Sequence, residues 1–75
     1  MESIEVILTK VQKLYTRKGY FERFFEICAE YPQNTYKANY HLLELEYFEL
    51  FGDFRYSDYE SFRQMKSKFL TRYKM

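Results

Sequence analysis

Three chain-breaking signals divide the sequence into four short segments, and this division constrains the fold more than any other feature. Gly19, the pair Tyr31-Pro32 and Gly52 each follow a run of apolar residues spaced three or four apart. That spacing lines one side of an α-helix, and a glycine or a residue before proline commonly ends a helix. We therefore predict an all-α bundle of four helices joined by short turns, over about 4–18, 20–31, 35–51 and 58–73.

The length and charge describe one domain, residues 1–75. The chain is 47% hydrophobic and 31% charged, with a net charge of +1. A chain of this size has a small core, so self-association would add useful buried surface. It lacks the roughly 20 apolar residues in a row that would cross a bilayer. A start unlike a signal peptide and a single cysteine favour a cytoplasmic setting.

Aromatic residues make up 23% of the chain, with nine Tyr, eight Phe and no Trp. These rings could serve in the core or at a binding surface. Large rings fill a core with few residues, whereas exposed rings would bind bases or a protein partner. We expect most of them to face the core.

The first helix has a start signal, an apolar stripe and a stop signal. Ser3 is a suitable N-cap, and Gly19 is placed for a left-handed C-cap after a basic last turn. The stripe predicted to be buried consists of Ile4, Ile7, Leu8, Val11, Leu14 and Tyr15. In the second helix the residues predicted to face inward are Phe21, Phe24, Phe25 and Cys28.

Glutamates recur at every fourth residue of the second helix, at Glu22, Glu26 and Glu30. Like charges at this spacing cost about 0.2–0.5 kcal/mol per neighbouring pair. Arg23 or the basic first helix would relieve this repulsion within the molecule, and a basic partner would relieve it from outside. Along the whole chain the two ends are basic and the middle is acidic.

The third helix, capped by Asn34 or Thr35, is apolar on two sides. One stripe contains Tyr36, Tyr40, Leu43, Tyr47, Leu50 and Phe51. Ala38, Leu42, Leu45 and Phe48 lie mostly on the other side, with glutamates on narrow polar flanks. A helix of this kind is sandwiched between neighbours or contributes to an interface. Leu42, Leu45 and Phe48 are therefore the candidate protein interface, for a protein partner or a second copy.

The fourth helix carries the candidate nucleic-acid contacts. Ser57 and Glu60 have capping-box spacing at its start, and Phe62, Met65, Phe69 and Tyr73 are predicted to face inward. The end of the third helix, a turn and the basic fourth helix fit a helix-turn-helix loosely. Side chains suited to bases and phosphates are Arg55, Ser61, Arg63, Gln64, Ser67, Lys68 and Arg72. Against DNA binding, Asp58 and Glu60 place negative charge at the start of this helix.

The segment Phe51-Gly-Asp-Phe-Arg-Tyr-Ser-Asp-Tyr-Glu-Ser-Phe-Arg63, followed by Lys66-Ser-Lys68, resembles an RYSxYxSFR-like pattern of short bacterial helical proteins of uncharacterised function. With the aromatic, acidic helix before it, the resemblance covers about a third of the chain. It implies a bacterial or mobile-element origin, and it carries over neither an activity nor any site residue.

The sequence contains no constellation typical of catalysis. His41 and Cys28 are its single histidine and cysteine, and a structural zinc site needs about four ligands. We expect a packed, inert Cys28, a surface or packed His41, no cofactor or metal, and a protein that is not an enzyme. A third hypothesis is an acidic decoy that occupies a nucleic-acid-binding protein through Glu22, Glu26, Glu30, Glu44, Glu46 and Glu49.

Overall fold

Four helices make up the fold. In a computed structural model that describes residues 3–73, with Tyr73 described by its backbone alone, they are α1 (Ile4–Tyr15), α2 (Arg17–Glu30), α3 (Tyr36–Phe51) and α4 (Tyr59–Tyr73). Those residues contain no strand. The predicted all-α architecture is confirmed, and none of these helices is both long and apolar enough to span a membrane.

At each helix start, a side-chain oxygen accepts a hydrogen bond from one of the backbone N–H groups that have no partner within the helix. Ser3 Oγ accepts from the Val6 N–H at 3.2 Å, and Thr35 Oγ1 accepts from the Ala38 N–H at 3.1 Å. The predicted cap at Ser3 is confirmed, and Thr35 rather than Asn34 caps α3.

The cap of α4 differs from the prediction. Asp58 Oδ1 accepts from the Ser61 N–H at 2.8 Å, while Glu60 bonds to Arg63. The predicted capping box of Ser57 and Glu60 is therefore wrong, because the residue that caps α4 is Asp58, one residue later. A carboxylate at Asp58 also meets the positive end of the helix dipole.

The junction of α1 and α2 is tighter than the sequence suggests. α1 ends at Tyr15, and Thr16 caps α2 by accepting from the Gly19 N–H at 3.0 Å. Gly19 thus lies in the first turn of α2, and the prediction that it ends α1 is wrong. A Cβ at Gly19 would lie only 1.8 Å from the Lys13 carbonyl oxygen, so glycine permits the close approach of the two helices. The predicted left-handed cap is found at Gly52, whose φ is 73°.

The core consists mainly of aromatic rings. Tyr20, Phe21, Phe24 and Phe62 are fully inaccessible, and Phe62 packs 4.9 Å from Phe24 between ring centroids. Other buried apolar residues are Leu14, Ile27, Tyr40, Leu43 and Phe69, with Phe25, Cys28, Tyr47, Leu50, Phe51, Tyr56, Tyr59 and Met65 packed against them. Most of the rings are therefore core residues, as expected.

The predicted burial of the α1 stripe is wrong. Leu14 alone is buried and Val11 is half-buried, whereas Ile4, Ile7, Leu8 and Tyr15 are exposed. The physical reason is that α1 packs chiefly against α2, so no helix covers the rest of its apolar side.

The predicted inward-facing residues of α3 and α4 are buried in part. Tyr36, predicted to face inward, is exposed, and the Lys66 ammonium lies 4.1 Å from its ring centroid. This cation–π contact holds the Lys66 head group against the protein rather than in water. Phe62 and Phe69 are buried and Met65 is half-buried, as predicted. The prediction for Tyr73 lies outside the described side chains.

Candidate functional site

The side of α3 that faces away from the core carries a row of large apolar side chains. Leu42, Leu45 and Phe48, here called the α3 outer face, are 38%, 54% and 43% exposed. Tyr40 and Leu43, on the opposite side of the same helix, are buried. The structure therefore brings the three candidate interface residues together on one surface, as the two-sided pattern of the sequence predicts.

Phe54 extends the α3 outer face onto the connection between α3 and α4. Its ring stacks on Phe48 with centroids 4.9 Å apart and is 52% exposed. The left-handed Gly52 turns the chain back, and Asp53 Oδ1 accepts from the Phe54 N–H at 2.8 Å. Sequence reasoning missed Phe54 because it lies outside any helix, where periodicity carries no signal.

A groove separates α1 from α3. It has a volume of about 360 Å³ and is lined by Ile7 and Lys10 of α1 and by Glu46, Glu49 and Leu50 of α3. The groove therefore has one lysine on its α1 side and two glutamates on its α3 side, of which Glu46 pairs with Arg23.

Two of the three glutamates in the acidic stripe of α2, Glu26 and Glu30, are paired inside the molecule. Arg23 donates to both carboxylate oxygens of Glu46, at 3.0 and 2.8 Å, and its guanidinium also pairs with Glu26 and Glu30. The ammonium of Lys13 lies 2.6 Å from Glu26. The hydrogen bonds to Glu46 raise the pKa of Arg23. Arg23 and Lys13 of the first helix therefore relieve this stripe at Glu26 and Glu30, as predicted, while Glu22 is exposed.

Glu44 is the largest departure from the predicted charge layout. It was expected on a solvated flank but is 3% exposed, and it accepts hydrogen bonds from the Tyr20 hydroxyl and from the Tyr56 N–H. Burial, and then the bond to Glu44, raise the pKa of Tyr20. This carboxylate joins α2, α3 and the α3–α4 connection, which is a structural role.

The acidic decoy hypothesis loses most of its residues to these contacts. It needs six accessible carboxylates, of which Glu44 is buried and Glu26, Glu30 and Glu46 pair with cations of the same molecule. Glu22 and Glu49 are exposed. Two scattered carboxylates do not reproduce the regular charge spacing of a nucleic acid.

The exposed side of α4 brings four of the seven candidate nucleic-acid residues together. Arg63, Gln64, Ser67 and Lys68 line one open depression of about 400 Å³. Arg63 pairs with Glu60 at 2.7 Å, which raises the pKa of the guanidinium and leaves less of its charge available for a phosphate. Arg72 is also exposed, whereas Ser61 is half-buried.

Arg55 does not belong to this surface. Its guanidinium donates to the carbonyls of Leu14 and Tyr15, at 3.4 and 3.1 Å, and lies 5.3 Å from the ring centroid of Tyr20. It therefore satisfies the carbonyls left free at the end of α1. This placement separates Arg55 from the candidate nucleic-acid residues on α4, and its contact with nucleic acid stays a prediction. The connection over 52–58 is also longer than the three or four residues of a helix-turn-helix.

Cys28 lies on α2 and His41 on α3, and each contacts a neighbouring residue of α3. The Cys28 sulfur is half-buried and accepts a hydrogen bond from Asn39 Nδ2 at 3.4 Å. His41 is exposed and its ring lies against Tyr40, with centroids 5.0 Å apart. Within residues 3–73, no three His, Cys, Asp or Glu side chains are grouped so that they could hold a metal ion.

Neither a protein-family model, nor a curated protein, nor a solved structure matches the chain. The resemblance of residues 51–63 to short bacterial helical proteins therefore stays a prediction.

Proposed function

We propose that this protein acts without catalysis, by binding another protein chain through the α3 outer face. The observation that carries this proposal is the exposure of Leu42, Leu45 and Phe48 in one row, extended by Phe54. Contiguous exposed apolar surface of this kind marks protein-binding sites in folded domains. Aromatic side chains at its end suit such a role, because Phe is enriched where interfaces lose water.

The core does not require these side chains. It is built on the opposite side of α3, and the described buried polar side-chain atoms all have hydrogen-bond partners. Exposed apolar groups gain about 25 cal/mol for each Å² removed from water. A protein partner that covers this row would therefore gain affinity without any rearrangement of the helices.

A photo-cross-linking residue tests the proposal directly. We would introduce p-benzoylphenylalanine at Leu45, and at the exposed Thr71 of α4 as the matched control, in cells that produce the protein. Illumination should give discrete protein adducts from position 45 and none of the same adducts from position 71. A second change, Leu42→Glu, should remove those adducts while the helical circular dichroism is retained.

Absence of adducts from position 45, or identical adducts from both positions, would contradict the proposal. Persistence of the adducts in the Leu42→Glu variant would also contradict it, because a charge in the centre of an apolar contact must weaken binding.

Nucleic-acid binding by α4 is a second candidate, supported by the shared depression of Arg63, Gln64, Ser67 and Lys68. Its test is fluorescence anisotropy of mixed-sequence DNA and RNA over a range of salt concentrations. The double variant Arg63→Gln/Lys68→Gln should weaken binding and reduce the salt slope by up to about 2, since each lost phosphate contact removes about 1. Lys18→Gln on α2 is the matched control. Unchanged binding in the double variant would remove α4 from consideration.

We place this binding function in the cytoplasm of a bacterium or in a mobile element that it carries, with a regulatory role. The single free Cys28 supports a reducing compartment, where thiols persist. The resemblance of residues 51–63 to short bacterial helical proteins supports the bacterial or mobile-element origin.

A further inference from the structure

A pocket of about 330 Å³ adjoins the α3 outer face, between α3 and the connection to α4. Leu45 and Phe54 line this pocket and are also part of the exposed apolar row. Tyr40, Tyr56 and Glu44 line it as well. A partner that covers the outer face therefore also reaches a depression in which aromatic residues surround a carboxylate.

The negative charge of Glu44 has no cation beside it. Its two hydrogen-bond donors, the Tyr20 hydroxyl and the Tyr56 N–H, are neutral, and none of the ion pairs formed by residues 3–73 includes it. Arg55, in the same connection as Tyr56, donates to carbonyls of α1 instead. A carboxylate that is only 3% exposed is costly unless a positive charge compensates it. This pocket therefore favours a cationic occupant.

The surroundings of Tyr40 agree with a negative potential in the pocket. Burial raises the pKa of the Tyr40 hydroxyl, and the charges of Glu44 and Asp58 raise it further. The lining contains neither lysine nor arginine, and its histidine, His41, is exposed. Aromatic rings also attract cations over their faces. Carboxylate and rings thus select the same chemical class of ligand.

We propose that this pocket accepts an arginine side chain of the protein that binds the α3 outer face. This inference rests on the proposed function and states the chemistry of its partner, a segment in which arginine lies next to apolar residues. A planar guanidinium stacks on aromatic rings and pairs with carboxylates. The two oxygens of a carboxylate have about four acceptor sites, so the two hydrogen bonds that Glu44 accepts leave room for others.

A pair of peptides tests this pocket. The first is acetyl-Leu-Arg-Leu-amide, and the second has citrulline in place of arginine, which keeps the length and the planar end group but removes the charge. NMR spectra of the full chain would be followed during titration with each peptide. The arginine peptide should give saturable shifts at the Leu45 methyl groups and the Phe54 N–H. The citrulline peptide should bind about tenfold or more weakly, because it lacks the charge-assisted hydrogen bond.

Two variants and a matched control locate the binding. Glu44→Gln keeps the size and one acceptor oxygen, and it should remove the preference for arginine over citrulline. Glu49→Gln makes the same charge change at an exposed position of the same helix outside the pocket lining, and it should leave that preference intact. Circular dichroism and urea unfolding establish whether Glu44→Gln is folded. Phe54→Ala, at an exposed position outside the helices, should weaken binding of the arginine peptide about threefold through loss of one ring.

Two results would overturn the proposal. The first is an arginine peptide that binds no better than the citrulline peptide. The second is unchanged binding of the arginine peptide by folded Glu44→Gln or, if that variant does not fold, by Phe54→Ala. Either result, combined with discrete adducts from position 45, would leave the protein-binding function standing with a partner that does not use the pocket. A preference for arginine that Glu44→Gln removes, without any adduct from position 45, would instead support the pocket and remove the outer face as the contact surface.

Discussion

Replacement of Gly19 by alanine tests the close packing of α1 on α2. An ideal Cβ at this position would lie 1.8 Å from the Lys13 carbonyl oxygen and 2.8 Å from its carbon. Both are backbone atoms, so no side-chain rotation can relieve the contact. The connection offers little slack, because Thr16 alone separates the two helices. The backbone of α1 must therefore move away from α2 to accept the methyl group.

The expected sign of the effect is opposite to that for an ordinary helical glycine. Alanine at an open helical position is about 1 kcal/mol more favourable than glycine. An added methyl group in a closed site costs about 1–3 kcal/mol, and contact with backbone places Gly19 at or above the upper end. We expect a net loss of about 2 kcal/mol, which lowers Tm by roughly 8–16 °C in a domain of this size.

Urea unfolding followed by circular dichroism at 222 nm measures this loss. Gly52→Ala is the comparison, since its φ is 73° and no atom lies within 4 Å of its added Cβ. That variant should lose about 1–2 kcal/mol from backbone conformation alone. If Gly19→Ala proves as stable as the wild type or more stable, the close approach of α1 and α2 is refuted.

Three other perturbations follow from single contacts. Tyr20→Phe leaves the buried Glu44 without a hydroxyl donor and should cost about 1–3 kcal/mol in urea unfolding; an unchanged midpoint would exclude this bond. Asp58→Ala should lower Tm more than Ser57→Ala, because Asp58 caps α4. A larger loss for Ser57→Ala would instead support the capping box of Ser57 and Glu60. The hydrogen bond from Lys13 lowers the pKa of Glu26 below its ordinary value of 4.5. The pair therefore stabilises the fold above pH 4.5, and this stabilisation is lost as the pH falls through the lower pKa of Glu26 in the folded protein. Glu26→Gln should therefore flatten the acid side of the stability–pH curve, and an unchanged curve would contradict the pairing.

Helix ends were predictable where the signal is local. Ser3 and Gly52 act as the sequence suggests because a hydroxyl three residues before a free N–H, or a glycine after an apolar run, needs no distant partner. Gly19 has the same local appearance as Gly52. In the structure, however, Gly19 lies inside α2 against the backbone of α1, and that contact is not encoded in the neighbouring residues.

The candidate surfaces were predictable in part for the same reason. Periodicity places Leu42, Leu45 and Phe48 on one side of α3, but it does not say which apolar side a neighbour covers. The apolar residues of α1 are confined to one side of the helix more clearly than those of α3, and they are nevertheless mostly exposed. Neither the burial of Glu44 nor the position of Arg55 against α1 was predictable, because their hydrogen-bond partners lie 12 to 41 residues away along the chain.

The aromatic composition explains why apolar surface remains outside the core. Four fully buried rings, Tyr20, Phe21, Phe24 and Phe62, occupy the centre that would otherwise need more aliphatic residues. Because α2, α3 and α4 enclose these rings, most of the α1 stripe has no place left in the core. Substitutions at Ile4 or Leu8 should accordingly change association more than folding, whereas truncation of any of the four rings removes core packing. Apolar residues that a monomer does not use for folding are the ones an interface can use.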